Sequence, residues 1–399
     1  MATAQHEAGE RSPRLTARLR DEERVTPLEL FFDLVFVLAI TQCTALMSHD
    51  PTWSGVAQGM LVLGVLWWAW VGYAWLTSVV DPEEGAVRLV IFAAMAAFLV
   101  VALCVPDAFG SLGLEFAVAY GFVRYGQIAL FFLASRDDAD LRRSIVGLAV
   151  STSVGVGLLV GASFLNGLAQ GAVWALALSL DMAGPYFFGS AGWKLMPEHF
   201  AERHGLIIII ALGESIVAIG VGSQAGVTAG VVAAAVLGIA IVAEMWWVYF
   251  DVVSIVAGRR LAAAPVGKVQ NEMARDSYSY LHFPMVAGII LVALGFKKAL
   301  AHVDDPLHAV PAFALLGGVA IYLLGLVAFR WRHVHTVNWQ RLILAGVLLA
   351  LIPVAVEVSA IATMSIAAAL MAAMIVYETR SYGERRERVR HQGTFTRAQ

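Results

Sequence analysis

Charge is scarce in this sequence. Only 14% of its 399 residues are Asp, Glu, Lys or Arg, whereas 59% are apolar, and the mean hydropathy is +0.75. That leaves too little polar surface to dissolve a fold of this size, so a water-soluble protein is excluded. Cysteine is nearly absent. Cys43 and Cys104 lie inside apolar runs without metal-ligand spacing, which implies neither a disulfide framework nor a zinc site. There is no basic face either: the cations sit in short clusters between apolar blocks, so nucleic acid is not an expected partner. Residues 1–25 are polar and Arg-rich, and no short apolar core with a small-residue cleavage site precedes the first long apolar run. We read this segment as a retained tail.

What the sequence has instead is a series of long apolar runs. Crossing about 30 Å of hydrocarbon takes roughly 20 residues of helix, because lipid offers no partners to free backbone groups. Blocks bounded by Pro, Gly or charge predict spans at 28–47, 55–78, 87–105, 111–134, 143–164, 168–189, 204–222, 227–250, 281–296, 309–329, 341–357 and 361–378. The expected fold is an all-α polytopic membrane protein of about twelve helices. Twelve spans put 24 of the 27 basic residues on one side, from Arg11, Arg14, Arg18, Arg20 and Arg24 through Arg203 to the six arginines after Tyr377. Only Lys297 and Lys298 face the other way, and Arg124 alone is expected inside a span. Cytoplasmic loops accumulate Lys and Arg, so both termini are assigned to the cytoplasm, with the cell membrane as location.

A faint internal repeat divides the chain. Phe32-Asp33-Leu34-Val35 and Gly213-Glu214-Ser215-Ile216 each open an apolar run with an acid, 181 positions apart. Trp67-Trp68 and Trp246-Trp247 recur at an offset of 179. Six spans per copy would make the copies parallel about an axis along the membrane normal, with ligand or ion paths between them. The expected organisation is a tail at 1–25, repeats at 26–190 and 191–378, and a cytoplasmic tail at 379–399.

An ionised group at mid-membrane costs from about 2.5 to more than about 10 kcal/mol, so acids there are functional candidates. Thr26-Pro27-Leu28-Glu29 reads as a capping box, which gives Glu29 a structural task. Asp33 lies one turn deeper on the same face and is aimed at protein or water. Glu214 falls near mid-membrane, and Glu244 shares a face with Asp251 beside the Trp246-Trp247 pair. Arg124 needs a partner on another helix, for which Asp33, Asp181 and Glu214 are candidates. Glu202 and His204 belong to a titratable stretch before the seventh span. In it His199-Phe200-Ala201-Glu202-Arg203-His204 departs from a metalloprotease signature, because Arg203 displaces the second ligand. No metal or other cofactor is expected. The transport-path or proton-relay candidates are therefore Glu29, Asp33, Arg124, Glu202, His204, Glu214, Glu244 and Asp251.

The segments Thr26–Val37, His199–Leu206 and Ala211–Val217 identify the chain as resembling the bacterial low temperature requirement protein A family, over nearly its whole length. That resemblance carries a growth phenotype and no reaction. Phe31–Thr41 is also similar to the first-helix signature of the lysosomal potassium channel family, which has two parallel six-helix repeats, although Phe32 stands where that signature has serine. It implies a central path lined by the first and seventh helices, with Val37, Ile40, Val217 or Val221 as apolar constrictions. The leading expectation is a channel or transporter for a small cation or proton. The alternatives are a membrane-embedded enzyme acting on a lipid or isoprenoid substrate, with Glu29, Asp33, Glu202, His204 and Glu214 as acid–base groups, and a non-catalytic membrane factor. The bilayer is the expected partner, and a homodimer is compatible with each reading.

Overall fold

A computed structural model describes residues 24–188, 192–223 and 226–391. Arg11, Arg14, Arg18 and Arg20 lie outside the described residues. The described chain is helical, with one isolated bridge between Pro306 and Ser359. We number the helices α1 (Pro27–His49), α2 (Trp53–Val79), α3 (Gly85–Cys104), α4 (Gly113–Ala134), α5 (Ala139–Ala162), α6 (Gly167–Phe187), α7 (Pro197–Gly222) and α8 (Ala229–Phe250). They continue with α9 (Val253–Ala262), α10 (Lys268–Ala301), α11 (Ala309–Val334), α12 (Trp339–Ala350) and α13 (Ala360–His391).

Side chains fix where several of these helices begin. Thr52, Asp138, Thr228 and Asn338 each accept a backbone N–H three residues on, opening α2, α5, α8 and α12. The expected capping box at Thr26 forms, with the Thr26 N–H donating to Glu29 Oε2 at 2.8 Å.

Among the described residues, ten helices are long and apolar enough to cross a membrane: α1 to α5, α7, α8 with α9, α10, α11 and α13. Two expected spans are not among them. The predicted span 168–189 forms α6, 21 residues diluted by Gln170, Asp181 and Pro185. The predicted span 341–357 breaks after the 12 residues of α12 into a short turn of helix at Ile352–Ala355. Twelve residues rise only about 18 Å.

The burial is that of a bilayer protein. Leu89, Leu103, Val118 and Phe122 point outward, while Arg124, Asp181, Arg203 and Glu214 are inside. Helix α1 packs on α2 and α3, α3 on α4, α4 on α5, α5 on α6, and α6 on α2. Later in the chain, α7 packs on α8 and α10, α10 on α11, α11 on α12, α12 on α13, and α13 on α8. The two groups meet where α1 and α2 lie against α7 and α10.

Candidate functional site

The first turns of α1 carry Glu29 and Asp33 four residues apart, and the first turns of α7 carry His199 and Arg203 at the same spacing. Four residues keep two side chains on one face of a helix. The two faces meet with acids against bases. Glu29 Oε1 lies 2.8 Å from His199 Nε2 and 3.1 Å from Arg203 Nη1. Asp33 Oδ1 accepts from Arg203 Nη2 and from the Trp70 indole N–H, both at 2.9 Å. The Ser78 hydroxyl sits 2.9 Å from His199 Nδ1 and completes the cluster from the end of α2. All of these side chains are buried, and Asp33 Oδ2 has no hydrogen-bond partner.

Among the described residues, the cluster sets two carboxyl groups against one guanidinium and one imidazole. Glu29 and His199 meet directly, and an imidazole in hydrogen-bond contact with a carboxyl group can pass a proton to it or take one from it.

Beyond it along the same seam, the Thr41 hydroxyl donates to Glu214 Oε2 at 2.5 Å. Contacts between α1 and α7 thus run at an offset of 170 for Glu29–His199 and Asp33–Arg203, and 173 for Thr41–Glu214, as in two parallel helices. This geometry corrects the 181-residue equivalence. About an axis along the membrane normal, equivalent residues share a depth, and Asp33 shares its depth with Arg203. Glu214 lies eleven residues beyond Arg203 on α7, opposite Thr41, which is eight beyond Asp33 on α1, so it is about 12–17 Å deeper.

The other expected residues divide. His204 is fully buried beside the cluster, its Nδ1 donating to the Phe200 carbonyl at 2.8 Å and its ring edge-on to Trp70 and His282. Glu202 is exposed and accepts the Val25 N–H at 3.3 Å, outside the cluster. Of the three candidates, Arg124 takes Asp181, at 3.1 Å, and its two terminal nitrogens also donate to Thr152, Gln127 and the Trp68 carbonyl. Glu244 is half-buried with Oε2 unpartnered, and Asp251 is paired with Arg386 and Arg390 of α13. Val217 and Val221 are exposed and cannot constrict a central path, whereas Ile40 is fully buried. Nor is Arg124 the one buried cation: Arg203, counted above among the loop cations, and Arg341 are buried too. Among the described residues, no three His, Cys, Asp or Glu side chains are placed to hold a metal ion.

Compared with known proteins, the chain matches the model of the bacterial low temperature requirement A protein (LtrA) over residues 24–376. The chain belongs to this family. It is also similar to an uncharacterized protein of Rhizobium meliloti (strain 1021), 31% identical over 326 residues that make up 76% of each chain. No solved structure matches it. The match to the LtrA family model begins at Arg24 and takes in both sides of the cluster.

His199, Arg203, Trp70 and Ser78 were not among the candidates read from sequence. One signal was there: the His199 to Arg203 spacing complements Glu29 to Asp33. Nothing in one dimension says that the two faces meet.

Proposed function

We propose that this LtrA family membrane protein moves protons, alone or coupled to a second solute, with the Glu29–Asp33–His199–Arg203 cluster as one station and Glu214 as another. The observation that carries this reading is the buried contact of His199 with Glu29, an imidazole and a carboxyl group 2.8 Å apart inside the bundle, with Asp33 one turn deeper on the same arginine. The cavity beside Glu29, Phe32, Tyr73 and Arg203 measures about 10 Å³, room for about one water. A proton can enter such a site along hydrogen bonds, whereas a hydrated metal cation has no space there. Phe36, Ile40, Ile207 and Ala211 are fully buried between the two stations. Passage therefore requires the α1–α7 seam to open, which favours a gated carrier over a continuous pore.

Purified protein in liposomes with a trapped pH indicator tests this. The wild type should dissipate an imposed proton gradient, and Asp33→Asn and Glu214→Gln, which keep shape and remove charge, should each slow it at least roughly tenfold while remaining folded. Wild-type rates in both variants, or no proton flux in the wild type, would overturn the proposal.

The same reading takes the chain as twelve crossings of the cell membrane in two parallel repeats, 26–190 and 191–378, with cytoplasmic termini. Contacts support the count. Gly155 lies against Ala177, Thr152 bonds Asp181 and Gly147 abuts Phe188, so α6 returns along α5. Arg341 bonds the Val248 carbonyl, while Ala360 and Ile361 bond the carbonyls of Asp305 and Val303, so the segment between them runs from one end of the bundle to the other. Six helix pairings of the first half also recur in the second.

A further inference from the structure

A cavity of about 430 Å³ opens among the ends of α8, α11 and α13 and the starts of α9 and α12. Tyr278, whose ring meets both His333 in its wall and His204 on α7, separates it from the α1–α7 seam, and the inference below does not rest on the proton proposal. Its volume is that of a small-molecule site. One wall is apolar, built by Val248, Val252, Val253 and Val256. The other carries Arg330, Arg341 and Arg386 against only Asp251 and Glu378. Both acids are already engaged. Glu378 takes a two-point pair from Arg341, at 3.0 Å for each bond, and the side-chain amide of Asn338 at 2.8 Å. Asp251 takes Arg386 and, from outside the cavity, Arg390. Arg330 is left over. Among the described residues this exposed arginine forms no ion pair, its attraction to Glu378 is shared with Arg341, and its one side-chain bond goes to the Thr336 hydroxyl at 3.2 Å. Beside it in the wall, His333 is 6% exposed, and neither ring nitrogen has a hydrogen-bond partner.

We propose that this cavity binds an organic phosphate, its phosphate held by Arg330 and drawn toward His333, and its carbon part against the valine wall. Arginine suits phosphate because its planar fork offers several donors to one anion. An inorganic anion would leave the apolar wall without a partner, and a cation would meet an excess of arginine. The same chemistry is presented by a soluble phosphoester and by a phospholipid headgroup reaching in from the leaflet.

The full-length protein in phosphatidylcholine nanodiscs separates the two sources. In one arm, phenyl phosphate is titrated and binding is followed calorimetrically. In the other, phosphatidic acid is added to the nanodiscs and the thermal midpoint is read. Saturable binding of phenyl phosphate marks a soluble ligand, and a raised midpoint with phosphatidic acid alone marks a lipid. In either case Arg330→Gln should weaken the response at least roughly tenfold, the scale of one charge-assisted contact. Gln340→Glu, which adds an opposing charge at the cavity wall with little change in shape, should do the same even if loss of Arg330 harms folding. No response to either phosphate in the wild type, or wild-type responses in both variants, would overturn the proposal.

Discussion

At the scale of single residues, buried charge in this molecule falls into two kinds. Arg124 and Asp181 form a closed pair: one cation and one anion, with the Thr152 hydroxyl bonded to both. Glu29, Asp33, His199 and Arg203 form a shared one, in which the histidine touches one acid and the arginine touches both. The closed pair is structural, and its energetics follow from desolvation. Arg124→Met should cost about 3–5 kcal/mol, because it strands Asp181 without compensation, and Arg124→Met/Asp181→Leu should recover most of that loss. Unfolding midpoints of the purified variants in detergent would check both, and a double variant no better than the single would contradict the pairing. Arg203 was hard to see in the sequence. Its place at a loop edge beside Glu202 and His204 reads as a cytoplasmic cation, yet one turn of helix separates an exposed residue from a buried one.

At the scale of elements, the twin motifs do not have twin surroundings. Trp67 and Trp68 are buried, while Trp246 and Trp247 are 44% and 37% exposed. Helix α2 is the central one, with 83% of its most apolar stretch buried against 39% for α8. Trp67 and Trp75 tie α2 to the other half by donating to the Ser279 carbonyl and hydroxyl, at 2.8 and 2.9 Å. Ser279 lies in a π-helical stretch at Ala274–Tyr280, a widened turn that interrupts the regular α-helix at this contact. On its other side α10 meets α11 through glycine. A Cβ on Gly288 would stand 2.6 Å from the Gly318 carbonyl oxygen, and one on Gly318 would stand 2.7 Å from that of Gly288. Backbone cannot yield there as a side chain can, and close approach through small residues is how helices associate where lipid removes the hydrophobic drive. Gly288→Ala should therefore lower stability by about 1–3 kcal/mol, read as a lower unfolding midpoint, whereas Gly346→Ala, with nothing near its Cβ, should not.

At the scale of the whole molecule, topology is the quantity to measure. Cysteines introduced near 50, 108 and 304 should react with an impermeant reagent added to intact cells, and cysteines near 140 or 265 should not. Outside labelling at 140 would overturn the proposed alternation and with it the proposed cytoplasmic termini. How many helices are long enough to span was largely legible in the sequence, because hydrocarbon permits little besides apolar helix. Helices α6 and α12 were the exceptions in kind. Gln170, Asp181 and Pro185 make α6 less apolar than its neighbours, and Asp181 is there to meet Arg124. The break after Ala350 turns the chain inside what reads as one apolar run. What the sequence determined by itself was local or periodic: the long apolar helices, the caps at Thr26, Thr52 and Thr228, and the inward aim of Asp33. These depend on residues within a turn or two and on the bilayer as solvent. Which acid meets which base was decided only by tertiary structure. The pairs Glu29–His199 and Asp33–Arg203 are 170 positions apart, and a helix pattern fixes which face a residue occupies but not which helix will lie against it.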